Sequence, residues 1–184
     1  MPNTSRKVVI VLLMGLLVTC GGLTKVSATQ TATATIPGGS VLDLLTGDIG
    51  FGNLGNFDIT QSQEFKNQGV KREQINSVKL RTLTLTITAP ANGQDFTFLQ
   101  SLAFFVEAPG VPKKEIARGG PFAVGAKEIS LTVLDVELAP YATAASMTFT
   151  TTANGKKPKV DTTIEAKVIL DADVNVAGVL CGSK

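Results

Sequence analysis

The sequence of 184 residues predicts an all-β fold, a single antiparallel β-sandwich with the jelly roll as one arrangement that fits it. Three observations carry this reading. Long runs alternate Val, Leu, Ile or Phe with Thr and charged residues, the period of a half-buried strand. Turn signals punctuate those runs at Asn92-Gly93, Pro109-Gly110, Gly119-Gly120-Pro121 and Asn154-Gly155. Helical periodicity is confined to two short turns, expected around residues 70–76 and 138–145. A hydrophobic content of 43% is enough for one domain with a core.

Residues 1–19 read as a targeting segment. Arg6 and Lys7 precede an apolar run over residues 8–18 broken only by Gly15, the layout of a secretory signal peptide. The run is shorter than the roughly 20 apolar residues needed to span a bilayer. At its end, Leu17-Val18-Thr19-Cys20-Gly21 resembles the lipobox of bacterial lipoproteins, with Thr19 standing where Gly, Ala or Ser is usual. The resemblance is confined to this segment. It implies cleavage before Cys20 and acylation of its thiol, hence a lipid-anchored protein of the cell envelope. In Gram-negative lipoproteins an Asp after the Cys marks inner-membrane retention, so Gly21 implies the outer membrane in such a host. Two readings compete: ordinary cleavage after Val26-Ser27-Ala28, and a disulfide between Cys20 and Cys181, the only other cysteine.

Loss of residues 1–19 removes Arg6 and Lys7 from 17 basic side chains and none from 15 acidic ones, so the remainder is formally neutral. Long-range attraction to anionic partners is then weak, and membrane attachment would come from the lipid. The low charge also disfavours nucleic-acid binding. Residues 20–39, GGLTKVSATQTATATIPGG after Cys20, read as a flexible Thr/Ala/Gly tether with a reach of about 25 Å, and residues 40–184 as the sandwich.

Within the sandwich a first strand is expected at residues 41–45 and another around 57–60. Val78 and Leu80 share one parity, whereas Leu83, Leu85 and Ile87 share the other. That switch near Arg81 and Thr82 predicts a bulge or a strand passing between sheets, because one inserted residue reverses the buried face. Further strands are expected at Leu102, Phe104 and Val106, at Ile129, Leu131 and Val133, and at Met147, Phe149 and Thr151. The longest alternation runs from Ile164 through Ala166, Val168, Leu170, Ala172 and Val174 to Val176. Asn154-Gly155 predicts an antiparallel hairpin between the last two strands, with Lys156, Lys157 and Lys159 at its tip. Leu138-Ala139-Pro140-Tyr141 is similar to the tyrosine corner of immunoglobulin-like sandwiches, but its Tyr directly follows the Pro, so no family is assigned on it.

Candidate chemistry is sparse. Gly50-Phe51-Gly52-Asn53-Leu54-Gly55 matches the dinucleotide-binding G-x-G-x-x-G, with Glu73 at the distance of a ribose-binding acid. No helix pattern follows, so a structural loop is expected and no cofactor. Asp171, Asp173 and Asn175 match half of a Ca²⁺ loop and are weak metal candidates, with strand alternation as the simpler account. Lys156, Lys157 and Lys159, with Lys113 and Lys114 as a smaller group, could meet phosphates of anionic lipid or lipopolysaccharide; alternatively they guard a sheet edge. Phe96, Phe98, Phe104 and Phe105 fit plain core better than a ligand cleft.

With no His and no G-x-S-x-G, the sequence carries no recognisable catalytic motif. The expected role is therefore binding or structural interaction with an envelope protein or small ligand. A ligand- or lipid-binding sandwich module and a hydrolase with an unorthodox site are the alternatives.

Overall fold

The computed structural model describes residues 23–175 apart from 41 and 56, and not the side chains of residues 23 and 53. Cys20 with the signal segment, Val176 and Cys181 lie outside the described residues. The chain folds as the sandwich expected, with two antiparallel sheets face to face. Sheet A has the order β1 (Leu23–Ile36), β9 (Thr162–Asn175), β3 (Ile75–Ala89), β6 (Glu128–Ser130). Sheet B has the order β2 (Leu44–Gly47), β8 (Thr148–Lys156), β4 (Leu99–Ala108), β5 (Val111–Gly119), β7 (Thr132–Val133).

Alternation explains the central strands. Ile164, Ala166, Val168, Leu170, Ala172 and Val174 of β9 are all buried, while Glu165, Lys167, Asp171 and Asp173 lie on the outer face. In β3 the register against β9 shifts between Leu80 and Thr82, the bulge that the parity switch requires, and both sets of apolar residues stay inside. Two short helices, α1 (Gln63–Asn67) and α2 (Ala139–Ala142), complete the fold. The Tyr141 hydroxyl donates to the Pro112 carbonyl at 2.7 Å, tying α2 to the start of β5.

The structure corrects several expectations. The segment read as a tether is strand β1, paired residue for residue with β9 from Leu23↔Asn175 to Ile36↔Thr162. Its Val26, Ala28, Ala32, Ala34 and Ile36 are buried, and Ser27, Thr29, Thr31, Thr33 and Thr35 are exposed. The sandwich thus takes in most of residues 20–39. Small inward residues suit this strand because α1 and the turn at residues 52–54 pack against it.

Nor do β8 and β9 form a hairpin. They belong to different sheets, and Asn154-Gly155 lies inside β8, where Gly155 pairs with Leu45 of β2 and Leu99 of β4. The run Ile129, Leu131, Val133 divides at Leu131 into β6 in sheet A and β7 in sheet B. Around residues 57–60 there is only an isolated bridge, Phe57↔Met147, leading into a 3-10 turn at Ile59–Gln61. Strand β5 has no counterpart among the expected strands. Lys113 and Lys114 sit on it.

Candidate functional site

Among the described residues the space between the sheets is packed with side chains, and Phe96, Phe98 and Phe104 belong to one continuous buried core. Phe105 is different: it points out of sheet B and is only half-buried. Around it lies a groove of about 430 Å³ on the outer face of β8, β4 and β5. Ser101, Ala103 and Phe105 come from β4, Glu115, Arg118 and Gly119 from β5, Thr132 from β7, and Thr152 and Asn154 from β8, with Gly120 at the rim.

Backbone irregularity makes the depression. The β4–β5 register shifts between Phe104 and Phe105, where Phe104 faces Ala117 and Phe105 faces Glu115, so Ile116 is the extra residue of a bulge. A bulge bends its strand and sharpens the local twist. Ala103, Gly119 and Gly120 add little or no side chain, which leaves the middle of the face low.

The lining is mixed in polarity, and its charged side chains, Glu115 and Arg118, are of opposite sign. Arg118 Nε lies 3.9 Å from Glu115 Oε1, and Lys113 Nζ sits 5.0 Å from the Phe105 ring centroid, within cation–π range. Asn154 Nδ2 donates to Ser101 Oγ at 3.4 Å. Across the register from Phe105, the Thr150 hydroxyl is buried with no hydrogen-bond partner among the described residues.

Apart from Phe105 and Lys113, the residues singled out in the sequence fall elsewhere. Asp171 accepts a hydrogen bond from Ser27 Oγ at 2.7 Å and faces Arg81 Nη1 at 3.8 Å, while Asp173 stands opposite Lys25 of β1. The triplet with Asn175 is part of the outer face of β9. Among the described residues no group of three or more His, Cys, Asp or Glu is arranged to hold a metal ion. The glycine-rich segment forms a one-turn 3-10 helix, Gly52–Leu54, and leads into no α-helix. Phe51 pins this loop in the core, its ring centroid 5.7 Å from that of Phe104.

Lys156, Lys157 and Lys159 line another, smaller basin of about 350 Å³ with Gly93, Gln94, Asp95 and Thr97. Asp95 is committed there to structure. It accepts from the Thr97 hydroxyl, the Gly125 N–H at 2.8 Å and the Thr97 N–H at 3.0 Å, and these bonds hold its carboxyl below the ordinary value.

The other perturbed carboxyls also shift downward. Burial pushes Asp48 up, but the Thr151 hydroxyl, the Gly50 and Thr151 N–H groups and the charge of Lys113 together outweigh it. Glu137 behaves alike: burial opposes the Val78 and Ala139 N–H groups, the Ser77 hydroxyl and Lys79, and the net effect is a lowered pKa. Both acids staple loops to strands, Asp48 at the end of β2 to β8 and Glu137 to the start of β3.

A carboxyl whose folded pKa is depressed contributes stability above its ordinary value and loses it as pH falls through the folded value. With ordinary values of 3.8 for Asp and 4.5 for Glu, the melting temperature is expected to fall as the pH drops below that range. Glu137→Gln should lower the melting temperature at neutral pH and flatten the acid decline. Thermal scans from pH 7 downward check this; an unchanged acid slope in the variant would remove Glu137 from the account.

Fold and surface together define a class: an all-β sandwich with an open groove of mixed polarity on the outer face of one sheet. No family model, curated protein or solved structure matches this chain.

Proposed function

We propose that the protein is an exported, lipid-anchored component of the cell envelope, attached through Cys20, and that it acts by binding a ligand in the groove over β4, β5 and β8. The groove carries the binding reading. Its volume of about 430 Å³ falls within the range typical of small-molecule sites. Its chemistry favours a neutral ligand rich in hydroxyls, such as a sugar ring of an envelope glycan. Phe105 offers an apolar surface with the Lys113 ammonium beside its ring, Ser101, Thr132, Thr152 and Asn154 offer hydrogen bonds, and Arg118 lies beside Glu115.

Binding is favoured over turnover on physical grounds. General acid–base chemistry needs pKa values drawn toward neutrality, and the perturbed carboxyls Asp48, Asp95, Asp135 and Glu137 move away from it. The lipobox-like segment ending at Cys20-Gly21 supports the anchor and, in a host with two membranes, the outer one.

Two measurements test the proposal. The protein recovered from membranes should have the mass of residues 20–184 plus acyl chains, and Cys20→Ala should release it from the membrane. A lipid-free mass beginning at Thr29 would mean a secreted domain instead. Calorimetric titration with neutral oligosaccharides should show binding that Phe105→Ala weakens about tenfold, a loss of ~1.4 kcal/mol. Equal affinity in parent and variant would place the ligand site elsewhere.

A further inference from the structure

We infer that the sandwich stands end-on upon its membrane, with the start of β1 against the lipid headgroups and the Lys156, Lys157 and Lys159 end directed away from it. The inference rests on the acylation of Cys20 proposed above. It follows from where the first strand begins. Leu23 is three peptide units beyond Cys20, and consecutive Cα atoms are 3.8 Å apart, so the two Cα atoms lie no more than about 11 Å from each other. An anchor at Cys20 therefore holds the first residues of β1 at the depth of the headgroups.

What lies at each end is fixed by register. Leu23 pairs with Asn175, and Ile75, the first residue of β3, pairs with Val174. The near end thus presents the starts of β1 and β3, the finish of β9 and the chain just ahead of β3. Lys25 and Lys71 are exposed there, beside Asp173 and Glu73, so headgroups would meet charges of both signs.

At a rise of about 3.3 Å per residue, the 14 residues of β1 carry the chain on the order of 40 Å to Ile36. Ile36 pairs with Thr162, and just beyond it Gly39 N–H donates to Pro158 O at 2.9 Å and Gly38 N–H to Asp161 Oδ1 at 2.8 Å. The connection bearing Lys157 and Lys159 is therefore stitched to the far end of β1. Sheet A gives no reason for the domain to lie flat. The outer face of β1 is a row of Ser27, Thr29, Thr31, Thr33 and Thr35, and β9 beside it presents Glu165, Lys167, Ile169 and Asp171, with Ile169 half-buried as the one apolar side chain among them.

Fluorescence quenching tests this orientation. Single-cysteine variants are made in a Cys181→Ser background, Lys71→Cys or Lys25→Cys for the near end and Lys159→Cys or Asn92→Cys for the far end; all four sites are exposed. Each lipoprotein is recovered from membranes, its acylated mass verified, labelled with a thiol-reactive fluorophore and reconstituted into phosphatidylcholine vesicles carrying a headgroup nitroxide. Strong quenching at 71 and 25 with little at 159 and 92 is expected. Equal quenching at both ends, or stronger quenching at 159, in a protein of acylated mass overturns the orientation alone. An unacylated mass overturns the anchor and the orientation together.

Discussion

Phe104→Ala is expected to cost about 3–5 kcal/mol of unfolding free energy, the range for deleting a fully buried aromatic ring. Phe104 is 0% exposed and sits on β4, the middle strand of sheet B, between Ala117 of β5 and Thr151 of β8. Its ring lies against Phe51, so the cavity would open beneath the loop that Phe51 pins, and neighbouring strands leave little freedom to collapse into it.

Phe105 provides the internal control. Its backbone is the next link in the same strand, but its side chain faces the groove, so Phe105→Ala should cost far less stability while acting on ligand binding. Urea denaturation of the two variants separates them. Comparable losses would mean that Phe105 belongs to the core after all and that the groove is shallower than described.

The contrast between these neighbours shows how much of the molecule was legible in its sequence. Strand parity is a strong local signal when the inward residues are large, so β9, β4 and the bulge of β3 at Leu80 and Thr82 could be read directly. It fades when the inward residues are small. In β1 the buried positions include Ala28, Ala32 and Ala34, and Ala alternating with Thr has the composition of a linker; only pairing with β9 and cover from α1 make it a strand. In β5 the run Pro112-Lys113-Lys114-Glu115 hides the alternation, because the first half of the strand is largely exposed.

The groove could not be found this way at all. Its side chains come from β4, β5, β7 and β8, and which strands become neighbours is a property of topology. Phe105 did carry a faint signal, being apolar at the outward parity of β4. A strand buried on one face has no packing reason to place a large aromatic on the other.

The misread turn at Asn154-Gly155 leads to the other large expected effect. In a two-residue hairpin turn Gly supplies a positive φ, and Asn is a tolerated replacement at modest cost. Inside β8 the Gly has another purpose. A Cβ at 155 would overlap the Phe98 carbonyl oxygen and come within 2.9 Å of Leu99 Cα, and both are backbone atoms that cannot rotate away. The β4–β8 register is irregular at this same place, shifting between Leu99 and Ser101, so the two strands approach where a side chain would hold them apart.

Overpacking a fitted interior costs about 1–3 kcal/mol, and more where backbone must move. Gly155→Ala is therefore expected to lose at least about 3 kcal/mol, with Gly155→Asn worse because its side chain is larger. Gly93 is the comparison, a true turn residue at φ +82° with open space around its Cβ position. Gly93→Asn should be nearly neutral, since Asn enters the left-handed region with little strain. Chemical denaturation of the three variants decides between the two geometries: a Gly155→Asn protein as stable as its Gly93→Asn counterpart would put residue 155 in a turn and return β8 and β9 to a single hairpin.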